Sequence, residues 1–509
     1  MNLRQLLEAR TREHPDGVAA IVCDRSLTWG ELDGVANRAA HAMAARGVEP
    51  GHKVAVMLPN CWEFLALWAG VAKLGAVIVP VNVHLRGEGL RYVLQHSEAS
   101  LLVLDAPLAG VVGQAGLAAI PRLVRGGDLD ERLAAAVDTP PPDHRLDPAA
   151  IFALLYTSGT TGRSKGVLLS HNAYANSGRE LAELLGVGPR DVVFTPLPLF
   201  HVGAQIVAMM PALWSGRPIV VAEGFSARTF WDTVRRHRCT MLHYLGTLLN
   251  ILHKQPPRPD DADNPARVMF GGGASVDIWE DFQRRFGVLL AEGYGLTETG
   301  GIATFNTPAT IRVGSIGRAV RYAEIRVVDE HDRPLPPRVR GEIVMRTDRP
   351  HVVMEGYYKD PVASDRALRG GWLHTGDRGW INDDGYVYFV DRLKDCIRRR
   401  GENISSFEVE QVINTHPQVL ESAAVGVPDA LGEEEVKVIV VPRPGERIDP
   451  LTIVQWAETR MAYFMVPRYV EIRDALPKTE TQKVQKAVLR EAGPGAAWDR
   501  EAAGYRLRR

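Results

Sequence analysis

The sequence predicts an α/β protein: a large N-terminal domain with two βαβ-type sheet subdomains plus a small β-rich subdomain, followed by a small α+β C-terminal domain. Three observations carry this expectation. Helical and strand periodicities alternate through roughly the first 240 residues; from Ile325 to Arg346 they give way to short alternating runs around the polar stretch Asp332–Pro337; and after Asp391–Asp395 the remaining hundred or so residues show a compact pattern of their own. At 509 residues the chain is too long for one ordinary core and calls for two to four domains or subdomains.

Taken in order, Leu32–Arg46 carries apolar residues at helical spacing and ends at Gly47, Lys53–Leu58 reads as a strand, Cys61–Leu74 as a helix closed by Gly75, and Val77–Val81 as a strand. Such alternation predicts parallel strands covered by helices, with ligands at the carboxyl ends of the strands. Phe64–Val83 is the most apolar long window, but Lys73, Pro80 and Asn82 interrupt it, so it reads as core and not as a membrane span. Ile151–Tyr156 and Val167–Leu169 are strand-like runs on either side of a polar loop, and Ile219–Val221 and Val288–Ala291 fit further buried strands. Asp138–Pro148 and Gln255–Pro265 read as surface connections. Beyond the alternating strand Tyr386–Val390 come a helix at Glu408–Asn414, strands at Ser422–Val427 and Val436–Val441, and a helix near Ile453–Met461. Residues 493–509 are charged and rich in Gly and Ala, a tail or a late docking segment.

Composition narrows the partners. Apolar residues make up 45% and charged residues 24%, a globular balance, and 60 Lys plus Arg against 61 acids leave no electrostatic reason to expect nucleic acid or an anionic membrane. A small-molecule partner is expected. Cys23, Cys61, Cys239 and Cys396 lie far apart with no C-x-x-C pair to found a zinc or redox site. Arg4, Glu8 and Arg10 exclude a signal peptide, so a cytoplasmic enzyme is expected. Oligomeric state stays open, a homodimer among the options.

The densest chemistry lies at Tyr156–Val167, YTSGTTGRSKGV. Its glycines let backbone N–H groups converge on an anion, Ser158, Thr160 and Thr161 add hydroxyl donors, and Lys165 adds a point charge. This is a phosphate cradle, with an ATP polyphosphate as the expected guest. It is not a Walker A loop, because five residues after Gly159 comes Ser164 and Lys165 is followed by Gly166. Three further islands suit nucleotide chemistry: GGGAS at Gly271–Ser275, EGYGLTETG at Glu292–Gly300 and HTGD at His374–Asp377. Glycines admit a flat purine, Tyr294 can stack on it, Glu298 can ligate Mg²⁺, and a buried Asp377 can bind a ribose diol. No G-x-G-x-x-G follows an early strand and no G-x-S-x-G accompanies Ser158 or Ser275, which removes a dinucleotide oxidoreductase and a serine hydrolase.

In combination with DRLKD at Asp391–Asp395 and KTETQK at Lys478–Lys483, these motifs resemble the adenylate-forming (AMP-binding) superfamily of acyl-CoA synthetases, luciferases and peptide-synthetase adenylation domains, over nearly the entire chain. PLFHVGAQ at Pro198–Gln205, RRRGENISSFEVE at Arg398–Glu410 and FMVPRYVE at Phe464–Glu471 look most like crotonobetaine/carnitine- and medium-chain-type acyl-CoA ligases. The resemblance implies a two-step reaction: a carboxylate attacks the α-phosphate of MgATP to give an acyl-adenylate and pyrophosphate, then the thiol of coenzyme A displaces AMP. The alternatives are transfer of the activated acid to a carrier protein or an amine, or activation of another small oxyanion such as nitrite.

The resemblance also implies residue roles. Thr157, Ser158, Gly159, Thr160, Thr161, Gly162 and Lys165 would grip the β- and γ-phosphates, with Glu298 and Thr157 holding Mg²⁺. Asp377 and Arg392 would bind the ribose, and Gly271–Ala274 (including Gly272 and Gly273) with Glu292, Gly293 and Tyr294 would wall the adenine. Thr297 would contact the α-phosphate, and Lys483 would be the catalytic lysine that cancels repulsion between two anions. His201 would gate the ATP and acyl pockets, the latter lined also by residues near Gln205, Tyr244–Thr247, Gly271–Ala274 and Gly295–Thr299, with Gln205 and His201 as candidate polar acyl contacts. In such enzymes the second domain is mobile, which assigns 1–391 to the adenylation domain, 392–395 to a hinge pivoting at Lys394, 396–492 to the mobile domain and 493–509 to the tail. Gly401 and Arg468 would meet CoA. Two departures from the usual pattern stand out: Ser164 where many members have proline, and Gln482 where many have glycine.

Overall fold

The helix Trp62–Leu74 starts after Cys61 and stops where Gly75 takes the left-handed conformation (φ +74°), close to the bounds that its glycine and apolar run predict. Every residue from Glu63 to Leu74 is buried. Two of them are charged and both are paired: Lys73 Nζ lies 2.6 Å from Asp33 and Glu63 3.1 Å from Arg125. Gly70 lets this helix press on Trp29–Ala44, since a Cβ there would stand 2.9 Å from the carbonyl oxygen of Ala36. The computed structural model describes residues 1–507 apart from 118, 158–163, 393–394, 400–401, 429–433 and 480–482.

Two large sheets form the body. In one, the parallel strands Arg122–Arg125, Leu101–Asp105, Lys53–Met57, Val77–Pro80 and Ile151–Tyr156 lie side by side, and antiparallel Gly166–Ser170 and then Gly356–Tyr357 extend the edge. In the other, Val18–Val22, Ile219–Val221, Val193–Thr195, Met241–Leu245, Val268–Gly272 and Leu289–Tyr294 run parallel, with antiparallel strands at both edges. Helices Leu3–Glu13, Trp29–Ala44, Trp62–Leu74 and His171–Leu184 pack together in one apolar core with the inner faces of both sheets. This is the two-sheet α/β body that the alternation predicts, and its strand ends carry the chemistry: the cradle follows Ile151–Tyr156, while Gly271–Ala274 and Tyr294–Thr297 follow adjacent parallel strands.

The β-rich subdomain is an antiparallel sheet of Ala323–Val328, Gly341–Thr347, Leu373–Ile381 and Val387–Arg392, and its register sets Asp377 opposite Arg392. Beyond it the hairpin Ile397–Arg399/Glu402–Ile404 and the sheet Val419–Pro428, Glu434–Pro442, Tyr469–Ile472, Trp498–Asp499 pack with helices Ser406–Asn414 and Pro450–Glu458 around a separate core. The chain end is docked: Trp498–Asp499 pairs with Tyr469–Ile472, and the Tyr505 hydroxyl donates to Glu458 at 2.8 Å. Among the described residues no helix is long and apolar enough to cross a membrane.

Candidate active site

The cradle is the turn of a hairpin. Tyr156 pairs with Gly166, and the Thr157 N–H donates to the Lys165 carbonyl at 3.0 Å, so both ends of the loop are pinned. Ser158, Gly159, Thr160, Thr161 and Gly162 lie outside the described residues, as do Lys394 and Gly401. The Lys165 ammonium sits over the Tyr357 ring, 4.6 Å from its centroid. The Tyr357 hydroxyl in turn donates to Glu298 Oε1 at 2.9 Å. Glu298 and Thr297 occupy a tight turn closed by the N–H groups of Gly300 and Gly301 on the carbonyls of Thr297 and Leu296.

Next to this turn lies a carboxylate suited to a diol. Asp377 is 3% exposed, accepts from the Tyr294 hydroxyl at 2.7 Å and lies 3.6 Å from Arg392 Nε. Tyr294 therefore has its ring orientation fixed by the carboxylate expected to bind ribose. Gly293 continues the same strand against Phe305. The glycine segment opposite needs its missing side chains: a Cβ on Gly246 would meet the Gly273 carbonyl oxygen at 1.7 Å, with Gly273 itself at φ +85°. Glu292 sits behind that segment. Its two oxygens accept the N–H groups of Gly273 and Ala274 at 2.8 and 3.0 Å, so it shapes the wall that Gly272, Gly273 and Ala274 form, and its carboxylate is spent on backbone. Burial raises this carboxyl to about 8 against the pull of both N–H bonds.

Lys483 reaches this cleft from the C-terminal domain. Its loop is held by the Thr479 N–H on the Lys483 carbonyl at 2.7 Å and by the Lys483 N–H on Thr479 Oγ1 at 3.2 Å. Lys483 is exposed as a residue. Desolvation lowers its pKa below the ordinary lysine value, Arg392 pushes the same way, and Asp377 and Glu298 oppose. His201 faces the same ammonium: burial, then Lys483, lowers the imidazole to about 3, which leaves it neutral, and its Nε2 is buried with no partner among the described residues. Asp377 and Arg392 thus lie side by side, Tyr357 joins Glu298 to Lys165, and the Lys483 ammonium is near enough to Arg392, Asp377, Glu298 and His201 for their charges to act on one another.

Gln205 and Arg468 have partners within the chain. Gln205 is fully buried and its amide is consumed: Oε1 accepts from Trp68 Nε1 at 3.0 Å and from the Tyr174 hydroxyl at 2.9 Å, and Nε2 donates to the Leu199 carbonyl at 2.7 Å. It lies within the π-helix Gly203–Met209, with both acceptor sites of Oε1 and one Nε2 hydrogen engaged. Arg468 pairs with Asp499 at 3.0 Å and Glu501 at 3.3 Å, which ties it to the chain end. The sequence reading missed Tyr357, whose only local signal is the string GYY. It also missed Asp391, which accepts from the Ser406 N–H and hydroxyl at 2.6 and 2.7 Å.

A large α/β body followed by a small separate C-terminal domain is the architecture of adenylate-forming enzymes. Residues 7–358 match the AMP-binding enzyme family and residues 408–483 match the AMP-binding enzyme C-terminal domain; the chain belongs to this family. It is similar to crotonobetaine/carnitine-CoA ligases of Salmonella agona strain SL483 and Salmonella typhi, each 36% identical over 96% of this chain and 99% of those proteins. Similar solved structures include the anthranilate CoA ligase AuaEII in complex with anthranoyl-AMP (TM-score 0.89, 25% identity, 97% of each chain). ATP-bound MatB from Rhodopseudomonas palustris is another (TM-score 0.87, 29% identity, 97% of this chain and 99% of that one).

Proposed function

We propose that the cleft between the two domains performs both half-reactions of an AMP-forming acyl-CoA synthetase, with residues 1–391 binding ATP and the acid and residues 396–492 moving between steps about a hinge at 392–395. The enzyme activates a carboxylic acid as its acyl-adenylate, releasing pyrophosphate, and transfers the acyl group to coenzyme A with release of AMP. What supports the residue-level reading is the pairing of Asp377 with Arg392 and the electrostatic influence of Arg392, Asp377 and Glu298 on Lys483. That arrangement supports the first half-reaction.

A carboxylate oxygen is a poor leaving group, and attack on ATP brings two anions together. Lys483 is assigned to lower that repulsion, contacting the incoming carboxylate and the α-phosphate as charge builds on the latter. Thr297 adds a hydroxyl toward the same phosphate. Asp377 and Arg392 hold the ribose, Gly272, Gly273, Ala274, Gly293 and Tyr294 wall the adenine with Glu292 behind them, and the cradle with Lys165 holds the leaving pyrophosphate. The carboxylate of Glu298 and the hydroxyl of Thr157 are hard oxygen donors beside this phosphate site, a set that suits Mg²⁺. Bound there, Mg²⁺ supplies neutralisation of polyphosphate charge. Neutral His201 closes the passage between nucleotide and acyl pockets. Lys394 is assigned to the pivot and Gly401 to the CoA-facing surface of the rotated domain. Balanced charge and four unpaired thiols support a cytoplasmic location.

The test is acid-dependent ATP–pyrophosphate exchange, followed by thioester formation on adding CoA. The relatives' names put crotonobetaine, carnitine and anthranilate first in the panel, with nitrite, amines and a carrier protein as controls. Exchange with an acid and thioester only with CoA is the expected outcome. Exchange whose product passes to an amine or carrier and never to CoA overturns the second half.

A further inference from the structure

The segment 354–358 touches both halves of the nucleotide site at once. Its backbone closes the edge of the cradle sheet: Tyr357 pairs with Val167 and Gly356 with Leu168, and the Tyr358 N–H donates to the Gly166 carbonyl at 2.7 Å. The Met354 N–H donates the other way, to the Glu298 carbonyl at 2.9 Å. The Tyr357 side chain repeats the bridge, with its hydroxyl on Glu298 Oε1 at 2.9 Å and its ring face 4.6 Å from Lys165 Nζ. Its N–H is anchored by Ser364 Oγ at 2.8 Å, at the foot of the helix Pro361–Ala367.

We propose that Tyr357 is a positioning residue of the nucleotide site, an insulating strut that keeps the metal-binding carboxylate of Glu298 and the phosphate-binding ammonium of Lys165 from neutralising each other. This rests on the reading of Glu298 and Lys165 given above. Opposite charges at neighbouring positions of an empty polyphosphate site attract, and a direct ion pair between them competes with both guests: the ammonium is lost to phosphate and the carboxylate to the cation. Among the described residues no ion pair joins Lys165 and Glu298, and the phenol stands between them. The hydroxyl holds one carboxylate oxygen, and no other side-chain donor meets that carboxylate among the described residues. The aromatic face holds the ammonium by its quadrupole, a weak hold that a phosphate outcompetes. A phenol keeps its proton at neutral pH and so remains a donor.

The experiment compares the parent with Tyr357→Phe, Tyr357→Ala, Glu298→Gln and the double variant Tyr357→Phe/Glu298→Gln. Mn²⁺ bound in the presence of ATP is read by electron paramagnetic resonance, MgATP binding by calorimetry, and folding by thermal melting. Tyr357→Phe, which keeps the ring and the fold, weakens Mn²⁺ binding about tenfold, the loss expected for a hydrogen bond to a charged group. The KM for the acid stays unchanged. Tyr357→Ala, which also removes the cation–π face, weakens MgATP binding further. In the Glu298→Gln background Tyr357→Phe adds little, because its hydroxyl acts through that carboxylate. Unchanged Mn²⁺ binding in Tyr357→Phe, or a full tenfold loss retained in the Glu298→Gln background, overturns the strut. A Glu298→Gln variant with parental Mn²⁺ and MgATP binding overturns the metal-site reading itself and the strut with it.

Discussion

Replacing Glu292 by Gln gives a pH-dependent gain in stability whose size follows from the site. The carboxyl is buried, holds the N–H groups of Gly273 and Ala274, and titrates at about 8 when folded against an ordinary 4.5. Between those values the folded protein keeps a proton that the unfolded chain has released, so this group lowers stability as pH rises from about 4.5 to 8 and adds no further slope above. The slope is ~1.4 kcal/mol per pH unit, and by pH 7 the cumulative loss is roughly 3 kcal/mol. Gln has no charge to desolvate and retains one carbonyl oxygen for one of the two N–H groups. The other N–H loses its acceptor, at a cost of about 1–3 kcal/mol that does not vary with pH. Subtracting the two proteins' unfolding free energies, from urea melts at half-unit steps between pH 5 and 9, cancels every other titrating group. The difference should move in favour of Glu292→Gln by about 1.4 kcal/mol per unit up to pH 8 and then level off. Parallel curves would refute the claim that this carboxyl is held protonated by burial.

Other outcomes follow from contacts between and within domains. Lys254 donates to the Val419 carbonyl at 3.1 Å and to that of Leu420, tying the body to the small domain in an orientation that we assign to acid activation. Lys254→Met should lower ATP–pyrophosphate exchange about tenfold while sparing thioester formation from a supplied acyl-adenylate, as expected for losing a charged hydrogen bond in one orientation only. Asp33→Asn strands the buried Lys73 ammonium and should destabilise by about 3–5 kcal/mol, whereas Lys73→Met, which removes the buried charge, should cost markedly less; calorimetric melting compares them.

Local pattern disclosed most of the architecture because local chemistry decides it. Leu74 followed by Gly75 marks a helix end, and an apolar run broken by YTSGTTG marks a strand leading into an anion loop. The motif order from residue 156 to 483 disclosed the cleft's inventory. What stayed hidden depends on partners far away in the chain. Gln205 read as a polar group available to substrate because nothing near it reveals that Trp68 and Tyr174 consume its amide. Tyr357 acquires its place only when its strand pairs with Gly166–Ser170, nearly two hundred residues earlier. Arg468 resembled an anion contact until the chain end brought Asp499 and Glu501 against it. Domain orientation is the least local property of all: it rests on scattered contacts such as Lys254 on Val419 and Arg340 on Glu408, none of which forms a motif.

The most direct test of the account is acid-dependent ATP–pyrophosphate exchange by Lys483→Ala, run beside thioester formation from a synthetic acyl-adenylate and CoA. Loss of exchange by at least about a hundredfold, with the second reaction within a few-fold of the parent, is the predicted result, since only the first step brings two anions together at this ammonium. Exchange at the parental rate would contradict the assignment of Lys483 and, with it, the reading of the cleft as the site of adenylation.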